Sequence, residues 1–313
     1  MKLKEIEEKL SLADKLSKKD ILSLKTFCHP DLYEDNDKLK DRAKVLFQKI
    51  IDLEENINNP LIIKTKRKDF KVLQKYHEDG ISDTFIVESN KKYLLKLSKG
   101  KQFNLYLKNE KEVLKKLYPD DEKQETFKKY MPNLVEDFVL DGKVALVYKY
   151  CRGYIPLSKK NKEYENKIPL KHIAWIYRRL YSILGYIHSK QYIYGSINPD
   201  SIWIHGKNHG VILWDFGFCH SEPHTYKSLP LNCKQYYPPE IIFSKEAGTN
   251  ADLFSSAILF EELVKNLPDG FYSFMKALKL CKEFRPSDTW WIYDEFSQCL
   301  ERYFGKPTYA GEL

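Results

Sequence analysis

Apolar positions along this chain follow two rhythms. Over residues 1–58 they recur at helical spacing. Ser17 followed by Asp20 marks a helix start of the capping-box type, and Ile21, Leu24 and Cys28 fall on one face of that helix. Pro30 ends it, because the proline ring bars continuation and restricts the residue before it. After the polar loop "DLYEDND", the spacing of Leu39, Ala43, Leu46, Phe47, Ile50, Leu53 and Ile57 predicts another helix, closed by "NNP" at 58–60. Residues 61–70, with "KTKRKDF", read as a basic linker. Beyond them the period changes. "TFIVES" and "YLLKLS" alternate around "NKK" and predict a hairpin, "NLYLKNEKEVLKKLY" predicts an amphipathic helix, and "LVEDFVLDGKVALVYKY" predicts two strands around Asp141-Gly142. From about residue 168 helices dominate, led by "LKHIAWIYRRLYSILGYIHSK". They are interrupted by the strand-like "IWIHG" and "GVILWD" and by loops around 218–239 and 284–288.

Composition narrows the class. A chain of 313 residues with 42% hydrophobic residues buries a sizeable core. The net charge of +8, from 52 basic and 44 acidic residues, is a mild bias of the kind lysine-rich surfaces carry for solubility, and nucleic acid is not expected as the main ligand. Cys28, Cys151, Cys219, Cys233, Cys281 and Cys299 show no C-x-x-C pair, so reduced thiols and a cytoplasmic location are expected. The first residues carry charge throughout and lack an apolar signal core, and no apolar run is long enough for a membrane span.

The chemistry-bearing positions appear in a telling order. Lys96 ends "YLLK", Glu110 lies in "NEKEVLKKL", "DFG" stands at Asp215-Phe216-Gly217, "PPE" ends at Glu240, "DLFSSA" begins at Asp252, and Arg285 opens "RPSD". Singly, Lys96 reads as an ordinary strand lysine, Glu110 as a helix-surface glutamate and Asp215 as a turn former. In register they resemble a eukaryotic-type protein kinase domain over residues 71–306. The resemblance implies an α+β, bilobal fold, with a β-rich small lobe (71–147), a hinge near 148–152 and a helical large lobe (152–306). It implies that Lys96 holds nucleotide phosphates, that Glu110 pairs with it, and that Asp215 binds magnesium with Ser201 as a further oxygen. Gly80 is the surviving glycine of a phosphate loop. Gly217, Glu240, Asp252 and Arg285 would be structural, with Glu240 and Arg285 paired and Asp252 bracing the catalytic loop. ATP and Mg²⁺ are the cofactors so implied. Tyr148 sits at the gatekeeper position beside the hinge.

The loop "YGSINPDS" departs from that family's H-R-D-x-K-x-x-N pattern at nearly every polar position. Tyr194 stands for histidine, Gly195 for arginine, Ser196 for the catalytic aspartate, Asn198 for lysine and Ser201 for asparagine. A positioned general base is worth about 10²–10⁴-fold, and a serine hydroxyl accepts no proton near neutral pH. Asp200 is the nearest carboxylate but matches a position that points away from substrate. In "EDGISDTF", Glu78 and Asp83 replace the outer glycines, where carboxylates facing a triphosphate would repel it. Cys219, His220, His224 and Cys233 match no common zinc spacing. Thr225, Tyr226 and Ser228 are candidate phosphorylation sites, although Gly195 removes the arginine that would read the phosphate.

A second resemblance is confined to residues 1–60. His29-Pro30-Asp31 between two amphipathic helices is similar to the J-domain of DnaJ-type co-chaperones. That resemblance implies contact with a DnaK-type chaperone through the tripeptide, with Lys18, Lys19 and Lys25 facing an acidic partner. The first helix lacks the family's usual aromatic and leucine-glycine turn. The expectation is a catalytically impaired kinase-like protein acting as a protein-binding adaptor behind a J-like helical domain. Two alternatives stay open: an atypical ATP-dependent phosphoryl or nucleotidyl transferase, and a co-chaperone whose kinase-like domain binds clients.

Overall fold

The computed structural model describes residues 3–11, 16–34, 36–58, 61–118, 121–165, 167–226, 229, 231–264, 266–306 and 308–313. The chain divides into two compact units, Met1–Tyr76 with Thr84–Leu95 and His77–Asp83 with Lys96–Leu313.

The first unit opens with α1 (Leu3–Ser11), α2 (Lys18–Phe27) and α3 (Asp37–Asn58). The capping box at α2 is closed from both sides: Asp20 N donates to Ser17 Oγ at 3.2 Å, and Ser17 N donates to Asp20 Oδ2 at 2.9 Å. α2 stops at Phe27, and Pro30 begins a 3-10 turn over Pro30–Tyr33, so part of the expected loop is helical. Leu3, Ile6, Ile21, Leu24, Cys28, Ala43, Leu46 and Ile50 form one core, with Phe47 and Leu53 packed at its edge. Burying each large aliphatic side chain there is worth about 1.5–3 kcal/mol. Leu39, expected on the same face, is exposed. The side chains of Lys18 and Ile57, and residues 59–60, lie outside the described residues.

Residues 61–70 are not simple linker. They carry β1 (Ile62–Lys64), antiparallel to the start of β2 (Asp69–Glu78), with Ile63 opposite Phe70. The cationic composition of this stretch hid the apolar pair that sets the register. The predicted hairpin follows as β3 (Ser82–Glu88) and β4 (Lys92–Ser98), and the division between units passes through β2, β3 and β4 themselves.

In the second unit, α4 (Asn104–Leu117) precedes β5 (Leu134–Leu140) and β6 (Lys143–Lys149). Asp141 and Gly142 join these strands with φ of 50° and 78°, the left-handed pair that a two-residue hairpin turn requires. β5 and β6 pair antiparallel, with Asp137 opposite Leu146. Next come β7 (Ile155–Pro156), α5 (Leu157–Glu163), α6 (Leu170–Ser189) and β8 (Tyr192–Ile193). β9 (Ile202–His205) and β10 (Gly210–Leu213) follow, then β11 (His220–Ser221), β12 (His224–Thr225), α7 (Pro239–Phe243), β13 (Glu246–Ala247), α8 (Thr249–Leu263), α9 (Asp269–Leu278) and α10 (Thr289–Phe304). α8 buries residues on most of its circumference, among them Leu253, Ala257, Leu259, Phe260 and Leu263 with the polar Asp252, Ser255 and Ser256. The Tyr177 ring of α6 meets Phe260 of α8 at 4.8 Å and Phe296 of α10 at 6.1 Å, so aromatic contacts join these helices. Among the described residues, no helix is long and apolar enough to cross a membrane. The antiparallel sheet followed by helices fits the expected α+β, kinase-like class.

Candidate functional site

The site grows from three charged side chains that the second unit brings together. Lys96, near the end of β4, is fully buried; its Nζ lies 2.7 Å from Glu110 Oε2 on α4 and 3.2 Å from Asp215 Oδ1. Burial alone would push the Lys96 amine down, but the carboxylates of Asp215 and Glu110 outweigh it and hold the amine charged. Burial pushes Glu110 up to about 7 against the pull of Lys96. The other Glu110 oxygen accepts from the Tyr148 hydroxyl at 2.5 Å. Tyr148 is therefore bonded into the ion-pair cluster. Asn109, beside Glu110, donates through Nδ2 to the carbonyls of Gly217 at 3.1 Å and Cys219 at 2.8 Å, tying α4 to the segment after Asp215.

The loop 194–201 is held from below by α8. Asp252 accepts from the backbone N–H of Tyr194 at 2.7 Å and of Gly195 at 2.8 Å, and its Oδ2 lies 2.9 Å from His188 Nε2. Glu240 and Arg285 pair at 2.5 Å. Inside the loop the polar groups bond to one another. Ser196 Oγ donates to Asp215 Oδ2 at 3.3 Å. Asn198 Nδ2 donates to Ser196 O at 2.9 Å and to Cys233 Sγ at 3.1 Å, while Asn198 Oδ1 accepts from the N–H of Asp200 and of Ser201. Ser201 Oγ donates to Ser196 O at 2.5 Å and accepts from Asn198 N at 3.2 Å. The loop thus keeps its shape through internal bonds, with no ionised side chain at positions 194 to 198.

Gly195 has φ of 70°, and a Cβ there would meet Tyr226 Oη at 2.0 Å and Phe218 O at 2.7 Å. Tyr226 fills the space beside it and is itself buried, so of the candidate phosphorylation sites Thr225 is exposed, Tyr226 is inaccessible and Ser228 lies outside the described residues.

Gly80, Ser201 and Asp215 line one cavity together with His77, Asp79, Ile81, Asn198, Asp200, Trp214, Phe218 and Cys233. Its volume is about 20 Å³, room for a water molecule. Aromatic rings fill the neighbourhood. Trp214 stacks on Trp203 at 4.1 Å and meets Tyr148 at 5.1 Å, and His77 packs edge-on to Trp203 at 5.7 Å. Burial holds the His77 imidazole below its usual range, against the pull of Asp200 and Asp79.

Two sequence expectations change here. Asp200 lines the cavity, with one oxygen bonded to the Ser158 hydroxyl. Of the carboxylates in "EDGISD", Asp79 lines the cavity; Glu78 is exposed, and neither it nor Asp83 is in the lining. The Asp79-Gly80 dipeptide is a turn signal that would have drawn attention to Asp79. Cys219 and Cys233 are buried, His220 stacks on His224 at 3.8 Å, and among the described residues no three such side chains converge as metal ligands.

His29, Pro30 and Asp31 belong to the first unit. Asp31 N donates to His29 Nδ1 at 3.4 Å, the His29 ring meets Phe47 edge-on at 5.0 Å, and His29 and Asp31 are both exposed. Lys25 is drawn to Glu54 at 2.7 Å, which thins the basic strip.

Comparison with known proteins agrees with the kinase-like constellation. The model of the protein kinase domain matches residues 91–272, more than half of the chain. The chain is similar to the mitosis inhibitor protein kinase SWE1 of Candida albicans, at 28% identity over 198 residues, covering 58% of this chain and 17% of the relative. It is similar to the maternal embryonic leucine zipper kinase of Danio rerio, at 28% over 132 residues, covering 39% and 18%. It is also similar to an Aurora kinase of Yarrowia lipolytica, at 32% over 95 residues, covering 30% and 25%. The matched stretch therefore spans a quarter or less of each of these relatives. With the buried lysine–glutamate–aspartate cluster, the Asp252 brace and this match in hand, the chain belongs to the protein kinase domain family.

Proposed function

We propose that this protein kinase domain is impaired in phosphoryl transfer and works as a protein-binding adaptor or regulator. The observation that carries the reading is Ser196. At the position of the catalytic base it presents a buried hydroxyl bonded to Asp215, and the loop positions that should supply a carboxylate and a lysine are neutral and internally bonded. Kinase domains in general use ATP and Mg²⁺. The residues here fit a metal-bound triphosphate only in part: the Lys96–Glu110 pair and Asp215 stand as the family has them, whereas Ser201 is bonded within its loop and aromatic rings pack beside the cluster. Under this reading Lys96, Glu110 and Asp215 serve as a structural keystone. The test is transfer of labelled γ-phosphoryl to protein acceptors by the purified full chain. Asp215-dependent labelling at rates typical of kinases, about 1–100 s⁻¹, would overturn the proposal.

One observation favours a second reading, an atypical active transferase. Asp200 lines the cavity, which puts a carboxylate near the position where Ser196 cannot act as a base. Any labelling that survives Ser196→Ala and disappears in Asp200→Asn would support this over the adaptor reading.

Recruitment of a DnaK-type chaperone rests on the exposed His29 and Asp31 at the α2–α3 junction. The engagement of Lys25 with Glu54 counts against it.

A further inference from the structure

The connection between β2 and β3 is where the family resemblance implies a phosphate loop, and its backbone amides are already in use. Asp79 Oδ1 accepts from the N–H of Ile81 and of Ser82, both at 2.7 Å, and Asp79 Oδ2 accepts from Ser82 Oγ at 2.6 Å. Asp79 N donates back to Ser82 O at 3.0 Å, and Lys99 N donates to Ile81 O at 2.9 Å, fastening the turn. Successive N–H groups aimed at one point form an anion site. Here the anion is part of the chain.

The electrostatics on the cavity side point the same way. Asp79, Asp200 and Asp215 all contribute to its lining. An entering polyphosphate would have to displace a carboxylate from charge-assisted bonds, approach the remaining carboxylates, and compete with a group whose effective concentration is intramolecular.

We propose that Asp79 is a resident substitute for a phosphate group, and that it sets this cleft against polyphosphates. The proposal rests on the reading that the domain does not transfer phosphate, and names the residue that withdraws the phosphate site.

The test uses the folded full chain and two probes, inorganic tripolyphosphate and Mg-ATP, with binding measured by calorimetry. The wild type is expected to bind each more weakly than about 1 mM. Asp79→Ala, which releases both amides and removes the charge, is expected to bind tripolyphosphate about tenfold tighter or better. Asp79→Asn keeps an oxygen on the amides and removes only the charge, so a smaller gain is expected. Melting curves establish that each variant is folded. If Asp79→Ala does not fold, Asp79→Asn alone decides. Folded variants that bind no tighter than the wild type, or a wild type that already binds at micromolar concentration, overturn the role of Asp79. Binding and transfer are read separately. A wild type that binds Mg-ATP without transferring phosphate overturns Asp79 and leaves the proposed function standing, whereas transfer overturns the proposed function itself.

Discussion

The Ser196 hydroxyl donates to Asp215 Oδ2 across 3.3 Å. Replacing it with a carboxylate places like charges at that distance in a buried loop. Ser196→Asp is therefore expected to cost about 1–3 kcal/mol of stability, read from chemical denaturation. On the proposed reading it is not expected to confer transfer alone, because position 198 remains an asparagine bonded to Ser196 O and Cys233. Robust labelling by this single variant would contradict the account of the loop.

Lys96→Ala leaves Glu110 and Asp215 facing each other without their shared cation. Breaking a buried ion pair from one side costs about 3–5 kcal/mol, so the denaturation midpoint is expected to fall sharply in the absence of any nucleotide. A variant as stable as the wild type would mean that the cluster does not hold the fold.

His172 gives a pH dependence. Burial, then the neighbouring Lys171 and His209 side chains, push its imidazole down to about 4, and its neutral Nδ1 accepts from Trp175 Nε1 at 3.4 Å. An unfolded histidine titrates near 6.5, so between about 6.5 and 4 the unfolded chain binds more protons than the folded one. The contribution of this neutral ring is present above 6.5 and is lost as pH falls toward 4. Melting temperature measured from pH 7 to pH 4 is expected to fall less steeply in His172→Gln than in the wild type. Parallel curves would show that His172 is not the group responsible.

Asp252 is expected to be among the least replaceable residues. Asp252→Ala removes the acceptor of the buried Tyr194 and Gly195 amides, and leaving a buried donor unsatisfied costs about 1–3 kcal/mol each. Hydrogen exchange at those two amides is the direct readout. Unchanged protection there would show that the brace is dispensable.

Stimulation of a DnaK-type ATPase by the full chain, and its loss in His29→Gln, is the outcome that would support chaperone recruitment. The variant is expected to melt within about 1 kcal/mol of the wild type, since His29 is exposed. An ATPase rate unchanged by the wild-type chain removes recruitment from consideration.

Some of this was legible in the sequence because charge and period leave marks. The spacing of Ala43, Leu46 and Ile50 fixes which face of α3 is buried, and the ordered motifs bring Lys96, Glu110 and Asp215 into one place. The turn at Asp79 left only a weak mark. Its importance lies in which backbone amides a single carboxylate reaches, and no periodic pattern encodes that. Likewise, the cationic run before Phe70 obscured the strand pairing of Ile63. The burial of Tyr226 was hidden because a tyrosine in a loop has the same letters whether it is packed or exposed.

The tyrosine ring beside Gly195 also limits how the loop can be engineered. Any side chain introduced at 195 would run into a phenol anchored to the carbonyl of Phe218, on a backbone turned to the left-handed side. Mutational access to position 195 is therefore gated by position 226: a larger residue at the first calls for a smaller one at the second.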